Sequence, residues 1–253
     1  MSNIRINELD AASGTTILIP DGYNLSLGGT TLNKNSIPPP PAGNAGKFLV
    51  SDGTSASYKN IGPSSIQTFY NSSTWTRPAG INRVLVRVVG GGGGGSGHSE
   101  SGGAGGYSEE VIDVRGISSV TVTVGNGSQS GTYYSGNGGG GQTSSFGNYL
   151  SASGGLGANQ SFQHCGGLGG LGSGGNLNIY GGGGIGHMNY MGHGGSSFFG
   201  CGTMSAHGNW VQGTRSNQLR AAYGAGGTSG YQRSYQGANG MKGCVANFPF
   251  FSS

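Results

Sequence analysis

GGLGGLGSGG, residues 166–175, places glycine at Gly166, Gly169, Gly172 and Gly175, every third position. Glycine at this density has two opposite physical outcomes. It can leave a flexible tether, because glycine has the most backbone freedom to lose on ordering. It can also form extended threefold helices of the polyglycine II kind. These have no internal hydrogen bonds, so every N–H and C=O points outward, and neighbouring helices satisfy one another only where no Cβ keeps them apart. The spacing of three recurs at Gly224, Gly227 and Gly230 and at Gly237, Gly240 and Gly243. Unbroken runs occupy 90–95, 138–141 and 181–184. Large aromatics stand between them, among them Tyr180, Phe198, Phe199 and Tyr223. Disordered segments are poor in such residues. The reading is therefore an ordered stack of glycine helices.

The rest of the composition agrees. The 253 residues include 59 glycines and are 8% charged, against about 25% in an ordinary domain. Residues 116–214 contain no Lys, Arg, Asp or Glu. Eight basic and eight acidic side chains cancel in residues 1–115, so the net +4 comes from Arg215, Arg220, Arg233 and Lys242. A cationic C-terminal part favours encounter with anionic surfaces. Cys165, Cys201 and Cys244 form no close pair, and small buried thiols among glycines are expected rather than a disulfide framework. No apolar stretch has the ~18 residues of a membrane-spanning helix, and the first residues lack the apolar run of a secretory signal.

Three regions are expected. Residues 1–62 carry short β-compatible runs at 3–9 and 15–19, a stiff spacer at 36–41, and a hairpin-like Asp52-Gly53 turn. They are too thin to bury a core alone and are read as needing partner chains, either copies of this chain or a fibre. Residues 63–124 form a β platform, with strands at 66–70, 83–89, 110–114 and 120–124. Val84, Val86 and Val88 share one face, as do Val120, Val122 and Val124. Residues 125–253 form the glycine tip and end in an apolar strand in which Pro249 marks an edge or an end. The fold class expected is all-β with packed polyglycine II helices and essentially no α-helix.

Chemical motifs do not survive scrutiny. Gly90, Gly92 and Gly95 follow a strand in the GxGxxG spacing of dinucleotide sites, but that mechanism needs a helix next. The residues that follow, SGHSESGGAGGYSEE, cannot supply one. His98, His164, His187, His193 and His207 match no zinc spacing. Asp113 is the last acid of the chain, so a nucleophilic triad lacks its third member. Glu109 and Glu110 are neighbours on a strand and face opposite ways, which does not suit paired carboxylates. No enzyme activity, cofactor, metal or nucleic-acid partner is expected.

Surface recognition remains. Between the glycine runs stand Tyr133 and Tyr134, then Phe162 and His164, then His187, Met188, Asn189 and Tyr190. A longer segment carries His207, Asn209, Trp210 and Arg215, and the last carries Tyr231, Arg233 and Tyr235. Aromatics offer contact area at small entropic cost, and amides offer adaptable hydrogen bonds. Arg suits phosphate and acidic sugars. Phe146, Tyr149, Phe198 and Phe199 read instead as fillers over the glycine core. A purely structural polyglycine protein is the alternative, but it calls for longer and more regular arrays.

WTRPAGINRVLVRVVGGGGGG, GGAGGYSEEVIDV, SVTVTVGNG, GNGGGGQTSSFGNYLSASGG and GANGMKGCV together resemble the glycine-rich domain of bacteriophage tail-fibre proteins over about 66–253. PPPPAGNAGKFLVSDGTSASY is similar to fibre segments that precede such tips. The resemblance implies a virion protein at the distal tip of a tail fibre. It would bind a bacterial outer-membrane protein or lipopolysaccharide through the loops, attach to a fibre or tail protein through residues 1–62, and act as a homotrimer or as a single cap on a trimeric fibre. Between residues 159 and 233 the chain departs from the family pattern, as expected where members differ in target.

Overall fold

The computed structural model describes residues 25–27, 30–32, 47–51, 56–59, 63, 65–97, 100–132, 136–159, 165–186, 192–203, 222–230 and 237–251. The chain divides into two compact units, Met1–Ile61 and Gly62–Ser252. In the first, β1 (Leu25–Leu27) pairs antiparallel with β2 (Thr30–Leu32), and β3 (Phe48–Ser51) with β4 (Ala56–Lys59). The Ser51–Ala56 pair brackets the expected Asp52-Gly53 turn. That turn, the runs at 3–9 and 15–19 and the proline spacer lie outside the described residues.

The second unit begins from the period of two. β7 (Ile81–Val89) alternates Val84, Val86 and Val88 with Leu85 and Arg87, so one face is oily. β8 (Tyr107–Asp113) and β14 (Cys244–Phe251) flank it, with β13 (Leu177–Ile179) and β5 (Gln67–Phe69) outermost. The second sheet runs β12 (Gly172–Ser173), β11 (Leu150–Ala152), β10 (Ser144–Phe146), β9 (Ser119–Thr123), β6 (Ser73–Thr76). All pairings are antiparallel. Trp75, Val84, Val86, Val88, Val122, Phe146, Leu150 and Val245 form the core, and Trp75 meets Phe146 edge-on at 5.5 Å. β14 sits inside its sheet, but β5 pairs only Val245–Asn247. Pro249 therefore lies beyond the end of β5, where its missing N–H is tolerated. No α-helix occurs among the described residues.

Strands and glycine segments interleave along the chain. Both sheets take strands from either side of residue 124. Each strand bordering the stack runs on into an extended glycine segment. Numbered along the chain these are g1 (90–96), g2 (100–106), g3 (125–131), g4 (137–143), g5 (153–159), g6 (165–171), g7 (180–186), g8 (192–197), g9 (224–230) and g10 (237–243). Their hydrogen bonds reveal the lattice. Along g1 the N–H groups of Gly90, Gly91 and Gly92 go to g2, g4 and g10, and those of Gly93, Gly94 and Gly95 repeat the same order. The g1 carbonyls of Gly91, Gly92 and Gly93 accept from g5, g3 and g9, and those of Gly94, Gly95 and Ser96 repeat that order. A period of three with partners on every side is the signature of polyglycine II packing. The six helices around g1 also bond to one another in the ring g3, g4, g5, g2, g9, g10. A second ring, g1, g5, g6, g7, g8, g9, encloses g2 in the same way. The result is three layers: g4-g5-g6, then g3-g1-g2-g7, then g10-g9-g8.

Position in this lattice dictates sequence. A Cβ on any of Gly90, Gly91, Gly92, Gly93, Gly94 or Gly95 would strike a neighbouring backbone carbonyl, so the enclosed helix is all glycine until Ser96. Perimeter helices have one free direction. In g6, Gly166, Gly167, Gly169 and Gly170 are blocked, while Leu168 points out with 69% of its surface exposed. The repeat GGL is thus a perimeter signature. It stops sooner than the spacing predicts, because Gly172 pairs with Ala152 in β12 and Gly174, at φ 87°, turns the chain into β13.

Other expectations are corrected. Cys244 is buried as expected, but Cys165 and Cys201 are exposed because they sit on outward positions. Phe146 fills the sandwich rather than covering glycine. Tyr149, Phe198 and Phe199 remain exposed, and Phe198 stacks on Tyr107 with ring centroids 3.7 Å apart. The GxGxxG amides are spent on lattice bonds, so they have no donors left for phosphate.

Candidate functional site

The glycine helices share one arrangement. One end of each adjoins the sandwich, and at the other the chain turns back. The turns fall at 98–99 between g1 and g2, 133–135 between g3 and g4, and 160–164 between g5 and g6. Those at 187–191 and 231–236 follow between g7 and g8 and between g9 and g10. The described ends on either side of these turns are tied together. Ser96 N–H donates to the Glu100 carbonyl (2.8 Å), Gly131 N–H to Gly95 (2.8 Å), Gly230 N–H to Ser96 (3.0 Å), and Ile185 N–H to His193 (2.9 Å). The segment 204–221 leaves from Thr203, whose N–H and hydroxyl both bond the Gly226 carbonyl, and the chain resumes at Ala222, next to Cys201.

At this far end small polar side chains take over as the lattice runs out of neighbours. The Ser96 hydroxyl donates to the Glu100 carboxylate (3.0 Å) and accepts from the Glu100 N–H (3.0 Å), which closes the g1–g2 turn. Glu100 is 4% exposed. Ser101 Oγ accepts from Ser229 N–H (3.1 Å), Ser229 Oγ from Gly192 N–H (2.9 Å), and Asn239 Oδ1 from Ser130 N–H (2.9 Å). These residues carry no candidate recognition chemistry, and the sequence reading passed over them. They fix the roots of the turns, and the signal is a serine that ends a glycine run.

All fifteen candidate recognition residues lie outside the described residues, eleven in the segments that join helices at this end and four in the segment 204–221. They are Tyr133 and Tyr134; Phe162 and His164; His187, Met188, Asn189 and Tyr190; His207, Asn209, Trp210 and Arg215; and Tyr231, Arg233 and Tyr235. The flanking described residues of the segments at 133–135, 160–164, 187–191 and 231–236 meet at the same end of the stack. Among the described residues no group of His, Cys, Asp or Glu could hold a metal ion.

Ionisable groups concentrate instead on the sandwich. Arg87 pairs with Glu109 across β7 and β8 and lies over the Phe248 ring at 5.0 Å. Burial pushes the Tyr107 phenol up, and the Glu109 carboxylate it donates to at 2.6 Å adds to this. Burial alone would raise Glu109, but the Tyr107 hydroxyl and the Arg87 guanidinium outweigh it and hold the carboxyl below its usual range. Glu110 turns to Asn176, as expected for neighbours on a strand. The Arg115 guanidinium holds exposed Asp113 down at about 2. Arg87–Glu109 and Glu110–Asn176 act as ties between neighbouring strands, while Tyr107–Glu109 and Asp113–Arg115 are local pairs two residues apart.

No curated protein matches the chain in sequence. The family described as glycine-rich domain matches residues 65–247, the span that holds every glycine helix and both sheets but for the last four residues of β14. The chain belongs to the glycine-rich domain family.

Proposed function

We propose that this protein is a receptor-binding adhesin at the distal tip of a bacteriophage tail fibre. It would hold a bacterial outer-membrane protein or lipopolysaccharide by the segments between its glycine helices. The observation that carries this reading is the convergence of helix-to-helix turns on one end of a backbone-bonded stack. Segments rooted in such a frame lose less freedom on docking than tethered ones. Their composition, rich in Tyr, His, Asn and Trp with Arg in the last two, is that of recognition surfaces. Residues 1–62 would attach the chain to a fibre or tail protein, either as a homotrimer or as a single cap, and several copies on one particle would add avidity. The chemistry is binding without catalysis.

The test replaces His187, Met188, Asn189 and Tyr190 by Ala, and separately Trp210 by Ala, in the full chain. Adsorption to a panel of Gram-negative cells is then measured, with thermal melting as the check on folding. We expect at least a tenfold loss of adsorption with melting unchanged. Undiminished adsorption by both folded variants would remove the assignment of the turns.

A further inference from the structure

The g4-g5-g6 layer has an open outer face, and g5 lies in its middle. The hydrogen bonds of g5 show what that face offers. N–H groups of Ser153 and Leu156 go to g6, and those of Gly155 and Ala158 go to g1. Carbonyls of Ser153 and Leu156 accept from g2, and those of Gly155 and Ala158 from g4. The third member of each triplet, Gly154 and Gly157, has no hydrogen bond through either group. By the period of three these donors and acceptors face away from the stack. Gly140 on g4 and Gly169 on g6 are likewise unbonded.

A groove of about 530 Å³ lies on this face, lined by Gly140, Leu156, Ala158, Asn159, Cys165 and Leu168. Leu156 and Leu168 are adjacent, joined by an N–H to carbonyl bond of 2.8 Å, and are 55% and 69% exposed. Residues 116–214 contain no Lys, Arg, Asp or Glu, and every lining residue falls within them, so the groove walls are neutral. Gly140 marks where the groove has room for a side chain: a Cβ there would meet nothing closer than 3.8 Å, and its φ is not positive. Gly183 on g7 is open in the same way, its nearest neighbour 3.6 Å from a Cβ, but lies outside the groove.

We infer that this groove takes an extended, uncharged stretch of receptor polypeptide, laid along g5 and hydrogen-bonded to Gly157 in the groove lining and, beyond it, to Gly154. Bare donors and acceptors at a regular repeat are what strand-addition recognition uses, with apolar pockets giving selectivity. Neutral walls disfavour a phosphorylated glycan, which would lose its hydration and gain no counter-charge. The inference rests on the adhesin reading and narrows the receptor to protein.

The test uses the full chain on outer-membrane vesicles from an adsorbing strain, intact or shaved with protease, and on vesicles of its purified lipopolysaccharide. Gly140→Leu fills the groove from an open position, Leu156→Asn removes its apolar wall, and Gly183→Leu is a control at another open position on g7. We expect Gly140→Leu and Leu156→Asn to lower binding to intact vesicles at least tenfold. Gly183→Leu should bind like the parent, and shaved vesicles should bind none of them. Retained binding by folded Gly140→Leu and Leu156→Asn, alongside loss in Trp210→Ala, would overturn the groove and leave the adhesin reading standing. Equal binding to shaved or pure lipopolysaccharide vesicles would overturn the polypeptide occupant. A parent that adsorbs to no strain would overturn both readings.

Discussion

The sandwich and the glycine stack are made by one chain passing repeatedly from one to the other, yet they are held by opposite means. In the sandwich, side chains do the packing. Trp75, Val84, Val122 and Phe146 leave water together, and the hydrogen bonds between strands follow a regular register. In the stack, the absence of side chains does the packing. Backbone groups of g1 find partners on six sides because nothing stands between them. A lattice bond in such a place replaces one to water and adds only about 1 kcal/mol net, but leaving it unmade in the interior costs the full desolvation. Rigidity therefore comes from the number of bonds satisfied, not from oil.

The comparison can be broken at several points. The largest effect is expected at the lattice centre. Gly93→Val drives its side chain into the Leu156 carbonyl and parts g1 from g5. It should cost more than ~4 kcal/mol and abolish the cooperative melt, whereas Gly140→Ala should melt like the parent. Next comes Phe146→Ala, which empties the sandwich core and should cost about 3–5 kcal/mol in denaturant unfolding. A smaller effect of opposite sign is expected at Asn247. Its side chain is fully buried against the oily face of β7, with neither amide atom bonded. Asn247→Val should raise stability by about 1–2 kcal/mol. The smallest perturbation is chemical labelling. Burial pushes the Cys244 thiol up to about 12, so near pH 8 a maleimide should modify Cys165 and Cys201 on the folded chain and spare Cys244 until it unfolds.

Much of this was legible in the residues, for physical reasons. The alternation in β7 and β9 reads directly as half-buried strands. The choice between ordered helices and tether followed from spacing and interleaved aromatics. What escaped was the role of place in the lattice. The run 90–95 belongs to a helix enclosed on six sides, whereas the equally unbroken runs 138–141 and 181–184 lie on the perimeter, with Gly140 and Gly183 open; only the neighbours make them different. Ser144–Phe146 and Leu150–Ala152 are too short to announce themselves, and they pair because the helices on either side deliver them to the sheet. Of the candidate recognition residues, the sequence could propose types, while the roots of their segments at Ser96, Ser101 and Ser229 needed the lattice to be seen.

The enclosed helix also bears on how such a gene can change. Every single-base alteration of a glycine codon that alters the amino acid installs a carbon side chain, and at residues 90–95 any such carbon collides with a neighbour. Those codons can move only silently, whereas Gly140 and Gly183, on the open flanks, leave room for a side chain. Diversity introduced at random would be filtered toward the flanks of the stack by geometry alone, before any selection for function.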